Sequence, residues 1–323
     1  MKKPKVTIII PAYNSQEYIG RCLDSVFAQA FQDYEVLVLN DGSTDETGEI
    51  VKKYARSNKQ LRYVEQENIG VARTRNKALK LANGEFVAFL DNDDFIDSDY
   101  IEKLLPSKNE DVVISGYKRP DVKGKIVREV RLEKTNWSKF VVPAPWAKIY
   151  KRKYLLDNKI EFLDNNIGED VYFNLIALLS TEKIKILRYV GYNWFFNEKS
   201  VSNTKQKRYS DINVFDLLNE SYDELKRRRL LDANYEQLEL FYYRYVVWFL
   251  LYAAKGAKKE RIDKTYDELF GWLGERFPDY KSNRLLKGNL PGEVGSTRII
   301  YKTFMRFHRM GLGKILVWGY AKI

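Results

Sequence analysis

Short apolar runs without polar alternation punctuate the first 120 residues: "KVTIII" (5–10), "YEVLVLN" (34–40), "LRYVE" (61–65), "EFVAFLD" (85–91) and "EDVVISGY" (110–117). Runs of this kind suit strands covered on both faces. Between them, apolar positions recur at helical spacing. Tyr18, Ile19, Cys22, Leu23, Val26 and Phe27 follow an N-cap candidate, Ser15, and "STDETGEIVKKYARSN" opens at a Ser/Thr/Asp cap. A third helix, "VARTRNKALKLAN", stops before Gly84, read here as a left-handed C-terminal residue. This alternation predicts an α/β fold, a Rossmann-like, mainly parallel sheet flanked by helices, over residues 1–207. From about Arg208 the pattern turns helical and aromatic, as in "SDINVFDLLNESYDELKRRRLL" and "YEQLELFYYRYVVWFLLYAAKG", which predicts a mainly α-helical region over 208–323.

Composition adds limits. In 323 residues, 45% apolar and 14% aromatic content is enough for a sizeable core. The lone Cys22 has no disulfide partner, and no charged-then-apolar leader is seen, so a reducing, cytoplasmic setting is expected. The apolar run Val246 to Ala254 is too short to span a bilayer, with Arg244 just upstream. The net charge of +11 is uneven: Lys+Arg against Asp+Glu is 15 to 18 in residues 1–110, 19 to 11 in 111–207 and 21 to 15 in 208–323. A basic excess attracts polyanions, and nucleic acid is one reading of it. No zinc, helix-turn-helix or ribonucleoprotein signature supports that reading, and the single His308 gives no basis for a His triad or a zinc site.

Ligands of doubly wound sheets collect outside the carboxyl ends of the strands. There the sequence places "PAYN" (11–14), "NDGSTD" (40–45) and "DNDD" (91–94). Carboxylates converging on one rim repel one another unless a cation lies among them. Oxygen donors select a hard ion, Mg²⁺ or Mn²⁺, which keeps open positions for phosphate oxygens. The competing reading of "DNDDF" is an acidic turn leading into a helix capped by Asp97 or Ser98, and "NDGSTD" taken alone is also a turn and cap.

The segments "VTIIIPAYNSQEYIGRCLDSVFAQAFQDYEVLVLNDGSTDETGEI", "ENIGVARTRNKAL" and "GEFVAFLDNDD", in this order and spacing, resemble the family 2 glycosyltransferases of the bacterial capsule and exopolysaccharide type, with the GT-A fold. The resemblance covers about residues 5–205. It implies nucleotide-sugar binding in 1–110 and an acceptor side in 111–207. Pro11, Ala12 and Tyr13 match the segment that wraps the nucleoside. Asp41 matches the acceptor of a uracil imide N–H, and Arg75 an arginine near the nucleotide and its phosphates. Asp91, Asn92 and Asp93 match the DxD motif, with Asp93 as direct metal ligand and Asp91 nearer the ribose and metal shell. In "NNIGEDVYF" Asp170 matches the general base, with Glu169 beside it; in "PAPWAKIYKRKYL" Trp146 and Lys148 match acceptor-side positions.

The implied activity is metal-dependent inverting transfer from a UDP-hexose or UDP-N-acetylhexosamine to a saccharide acceptor, lipid-linked in surface polysaccharide synthesis; a glycoprotein acceptor is the alternative. A nucleotidyltransferase would share the carboxylates, but "PAYNSQEY" lacks its Gly-rich basic signature. In the tail "RIIYKTFMRFHRMGLGKILVWGYAKI", Phe304, Phe307, Met310 and Leu312 interleave with Lys302, Arg306, Arg309 and Lys314. Three readings stand: a contact with an anionic membrane surface at the inner face of the cell membrane, a homodimer contact, or a helical cap.

Overall fold

The computed structural model describes residues 3–165, 167–195, 214–288, 290, 293 and 295–322. The chain forms two compact units, 1–197 and 198–323. The expected boundary at 207/208, the expected helix start at Ser210 and Asn166 of "NNIGEDVYF" lie outside the described residues.

In the first unit, nine described strands form one sheet: β1 (Val6–Ala12), β2 (Tyr34–Asp41), β3 (Leu61–Gln66), β4 (Phe86–Phe89), β5 (Phe95–Ile96), β6 (Val112–Pro120), β7 (Ile126–Val130), β8 (Lys148–Lys151) and β9 (Ile184–Asn193). Their order is β3-β2-β1-β4-β8-β6-β9-β5, with β7 paired to β6. The first four are parallel, with Val6 opposite Tyr34 and Phe86. Every residue of β1 and β2 is buried, as continuous apolar runs require. β8 then lies antiparallel to both β4 and β6, while β6 and β9 pair in parallel, so the second half of the sheet is mixed.

Helices α1 (Ile19–Phe27), α2 (Thr47–Ser57) and α3 (Val71–Leu81) connect the parallel strands, followed by α4 (Tyr100–Leu104), α5 (Arg152–Asp157) and α6 (Glu169–Leu179). α1 buries Ile19, Cys22, Leu23 and Val26, one stripe at helical spacing. Two local expectations need correction. The Ser15 hydroxyl makes no capping bond; the Ser15 carbonyl instead accepts from the N–H groups of Tyr18 and Ile19, because the turn before α1 is closed by backbone. At α2 the aspartate of the expected cap does act, Asp45 Oδ1 accepting from Thr47 N at 3.0 Å.

Gly84 is likewise not a left-handed cap. α3 ends at Ala82 in extended backbone (φ −61°, ψ 140°). The glycine is needed for close approach, since a Cβ there would lie 2.5 Å from Thr7 N and 2.7 Å from Phe86 O. Its own N–H donates to Thr7 Oγ1, which donates in turn to buried Glu35.

The second unit is helical: α7 (Val214–Arg227), α8 (Tyr235–Ala254), α9 (Lys259–Arg276), α10 (Gly295–Arg309) and α11 (Gly313–Ala321). α8 is its core, burying among others Leu238, Tyr242, Tyr243, Val246, Val247 and Leu250. His308 is half-buried, its two ring nitrogens each 2.5 Å from a phenol, Tyr266 and Tyr280, and burial lowers its pKa to about 4. Among the described residues, no helix is long and apolar enough to cross a membrane.

The Gly84 contact predicts that Gly84→Ala forces β1 and β4 apart and lowers stability by about 1–3 kcal/mol, the usual cost of overpacking. Chemical unfolding measures it; an unchanged midpoint would mean that the strands separate freely.

Candidate active site

The carboxyl ends of β1, β2 and β4 share one edge, so the three polar loops meet there. Asn14 locks the first to the second: its N–H donates to Ser43 Oγ at 3.0 Å and its Oδ1 accepts from Thr44 N at 2.8 Å. Pro11 and Ala12 are buried at the end of β1, while Tyr13 stands 50% exposed beyond them. Asn92 donates to the Pro11 carbonyl at 2.8 Å, tying the third loop to the first.

Asp41, at the end of β2, is buried. Its Oδ1 accepts from Gln66 Nε2 at 2.7 Å and Ile69 N at 2.9 Å, and its Oδ2 from Gly70 N at 2.9 Å. Asp41 therefore fixes the loop that starts α3, and α3 carries Arg75. This role was invisible in the sequence, where Asp41 read only as a ligand contact.

Arg75 is 4% exposed. Its Nη2 donates to Asp91 Oδ1 at 2.7 Å, its Nη1 to Asp170 Oδ1 at 2.6 Å, and Glu169 Oε1 lies 3.6 Å from Nη1. Burial works against the charge, but these carboxylates outweigh it and hold the guanidinium ionised. The sequence placed Arg75 near phosphates. It does reach the site, but both Nη groups are committed to carboxylates.

The carboxylates of "DNDD" divide by environment. Asp94 is buried, accepts from Tyr192 Oη at 2.6 Å and Phe195 N at 2.8 Å, and is pushed well up in pKa by burial and then by Asp93 and Asp91. It is an anchor between the turn and β9. Asp91 faces Arg75. Asp93 is half-buried at the tip, where Arg21 Nη2 donates to its backbone carbonyl at 2.7 Å. Among the described residues, no three His, Cys, Asp or Glu side chains form a ready cage. Asp91 and Asp93 supply a two-carboxylate, oxygen-only set, which suits Mg²⁺ or Mn²⁺ completed by diphosphate oxygens and water.

Gly168, at φ 77°, turns the chain into α6 and sets Glu169 and Asp170 in its first turn, where acidic side chains favour the helix dipole. Burial raises the Asp170 pKa to about 8; Arg75 and Lys148 oppose the shift, and Glu169 and Asp91 add to it. A carboxyl so placed is a stronger base than a free aspartate.

The two acceptor-side candidates are both buried. Lys148 is 1% exposed, with its Nζ donating to the carbonyls of Val142 at 2.9 Å, Ala144 at 2.6 Å and Trp146 at 3.4 Å. Burial lowers its pKa to about 7. Its three donors hold the 142–146 loop and leave none for a ligand. Trp146 stacks on Tyr192 at 4.6 Å, with Tyr117 edge-on at 5.1 Å, and is a core aromatic. A separate cleft of about 600 Å³, lined by Lys5, Asp33, Gly84, Glu85 and Arg152 among others, opens at the amino ends of β1 and β4, away from these residues.

Residues 7–169 match the family model "Glycosyl transferase family 2". The chain belongs to this family. It is similar to glycosyltransferase GlyA of Streptococcus pneumoniae, 31% identical over 227 residues, covering 64% of this chain and 32% of that one. It is also similar to the poly(ribitol-phosphate) beta-N-acetylglucosaminyltransferase TarS of Staphylococcus aureus, 29% identical over 245 residues, covering 72% of this chain and 43% of TarS. The crystal structure of S. aureus TarS shares the fold at TM-score 0.65 and 23% identity, over 98% of this chain and 55% of that chain. That of TarS 1–349 with UDP-GlcNAc does so at 0.56 and 22%, over 98% and 90%. The chain thus spans about a third of GlyA and under half of full TarS. The family match runs from β1 to the first residue of α6, and so contains the three rim loops and Arg75.

Replacing Arg75 strands Asp91 and Asp170. Arg75→Met is expected to lower unfolding free energy by about 3–5 kcal/mol at pH 8, the cost of breaking a buried pair from one side. Without Arg75 the Asp170 pKa, already raised to about 8, rises further, so the loss grows as pH climbs through 8 and levels off below it. Urea melts at pH 6.5 and pH 9 measure it, and equal losses at both would contradict the ion-pair account.

Proposed function

We propose that this chain is an inverting glycosyltransferase, dependent on Mg²⁺ or Mn²⁺, that moves a hexose or N-acetylhexosamine from a UDP-sugar to a hydroxyl of a lipid-linked saccharide in cell-surface polysaccharide synthesis. One observation carries the reading: a DxD carboxylate, Asp91, and the candidate base, Asp170, are bound to the same guanidinium. Donor and acceptor chemistry are thereby within reach of each other. The naming of TarS as an N-acetylglucosaminyltransferase, and its structure with UDP-GlcNAc, support a UDP-sugar donor. A chondroitin synthase and a hyaluronan synthase of Pasteurella multocida among the relatives support a saccharide acceptor.

In this reading exposed Tyr13 lies against the base, Pro11 and Ala12 back the nucleoside, and Asp41 Oδ2, which carries one protein donor, accepts the uracil imide N–H. Asp93 and Asp91 would hold the cation, which supplies positive charge against the departing diphosphate when bound. Asp170 takes the acceptor hydroxyl proton as that oxygen attacks the anomeric carbon. The bond from that carbon to the diphosphate oxygen breaks on the opposite face, the electron pair leaves with UDP, and the configuration inverts. A base with pKa about 8 is matched to proton removal near neutral pH. Arg75 keeps the Asp170 carboxylate aimed, a gain in orientation rather than in new chemistry.

Asp170→Asn is expected to lower transfer about 10²–10⁴-fold while UDP affinity is unchanged. Asp93→Ala is expected to abolish the gain in UDP affinity on adding Mn²⁺. In the wild type, transfer rises with pH towards about 8, because Asp170 must be ionised to act and its raised pKa keeps it protonated at lower pH. Calorimetry with UDP and a coupled UDP-release assay read all three. Normal turnover by Asp170→Asn, or a retained Mn²⁺ response in Asp93→Ala, would overturn the corresponding role.

A further inference from the structure

Charge in the helical unit is segregated along the chain. Residues 214–294 hold fourteen Lys or Arg and fourteen Asp or Glu, whereas 295–323 hold six Lys or Arg and no acid. The excess positive charge of residues 214–323 therefore lies wholly on α10, α11 and the short ends beside them. One side of this pair is packed: Phe304, Met305 and Val317 are buried, and His308 is held by its two tyrosines.

The other side is exposed and aliphatic. Ile299 is 64% exposed, Ile300 50%, Met310 60% and Ile315 51%. At helical spacing Ile299, Thr303, Arg306 and Met310 fall on one stripe of α10 and its end, with Ile300 on one flank and Lys302 and Arg309 on the other. Lys302 and Arg309 donate to the carbonyls of Lys287 and Lys281, and Lys314 pairs with Asp267, so these cations are held in place around the stripe. Arg306 projects from the stripe itself and is exposed.

We propose that this face docks on an anionic lipid surface, with α10 lying in the interface and its isoleucines and Met310 entering the boundary between headgroups and acyl chains. Buried aliphatic area and attraction to acidic headgroups act together in such binding. The same residues argue against other occupants. Single-stranded nucleic acid is gripped by exposed aromatic rings, and the stripe presents isoleucine and methionine. A two-fold contact of this face with a second copy would set one acid-free cationic segment against another. The contact is peripheral, since no described helix can span a bilayer.

The test is co-sedimentation of the full chain with vesicles of phosphatidylcholine alone and of phosphatidylcholine mixed with phosphatidylglycerol. Binding is expected only to the mixed vesicles and to weaken with salt. Arg306→Glu should weaken it about tenfold or more, given roughly 1 kcal/mol per basic side chain at an acidic surface. Ile299→Ser with Met310→Ser should weaken it similarly while α-helical content and melting temperature stay unchanged, both positions being exposed. UDP binding should be indifferent to all three changes, which separates this inference from the catalytic reading. Equal binding to neutral vesicles, no binding to either, or binding that survives both variants would overturn the proposal. So would loss of a dimer, or of oligonucleotide binding, as the effect of these substitutions.

Discussion

A guanidinium withdrawn from water must be surrounded by carboxylates, and the contact of Arg75 with Asp91 and Asp170 is the constraint on which the rest of the first unit depends. Its three members come from three separate elements. Arg75 rides on α3, whose entry is pinned by Asp41; Asp91 follows β4; Asp170 opens α6 behind Gly168. Buried charge of this kind adds little net stability compared with apolar packing, yet removing one partner is expensive. The arrangement therefore specifies geometry more than it strengthens the fold.

That geometry explains why one turn carries three aspartates of different kinds. Asp94 is spent on Tyr192 and the Phe195 N–H, so the turn cannot swing away from β9. Asn92 ties the same turn to Pro11. With both sides fixed, Asp91 is presented to Arg75, and Asp93 is left at the partly exposed tip. Rigid support from neighbours of this kind holds a few carboxylates in fixed positions.

The parallel half of the sheet was legible because β1, β2 and β4 are continuous apolar runs, and its rim because polar loops follow each of them. Other features were hidden by their dependence on distant partners. The four-residue β8 is too short to announce itself within "WAKIYKRK". Lys148 reads as an acceptor-side position from its motif, and lysine is almost never buried; three carbonyls of its own loop make the exception. Gly84 looked like a helix stop, yet what demands glycine is the backbone of Thr7, 77 positions away. Asp94 is indistinguishable from Asp91 and Asp93 until Tyr192, 98 residues on, is folded against it. Arg75 was found through its motif, but its two carboxylate partners are properties of the fold.

If Asp91 and Asp170 share one counter-ion, their losses cannot be independent. The most direct measurement is a double-mutant cycle of Asp91→Asn and Asp170→Asn on unfolding free energy at pH 8. Either single change leaves Arg75 with the other carboxylate, while the double change strips both hydrogen-bonded partners from a buried guanidinium. The account predicts that the double variant loses more than the sum of the singles by about 1–3 kcal/mol. Losses that add to within about 0.5 kcal/mol would mean that the two carboxylates do not share Arg75, and would contradict the account at its centre.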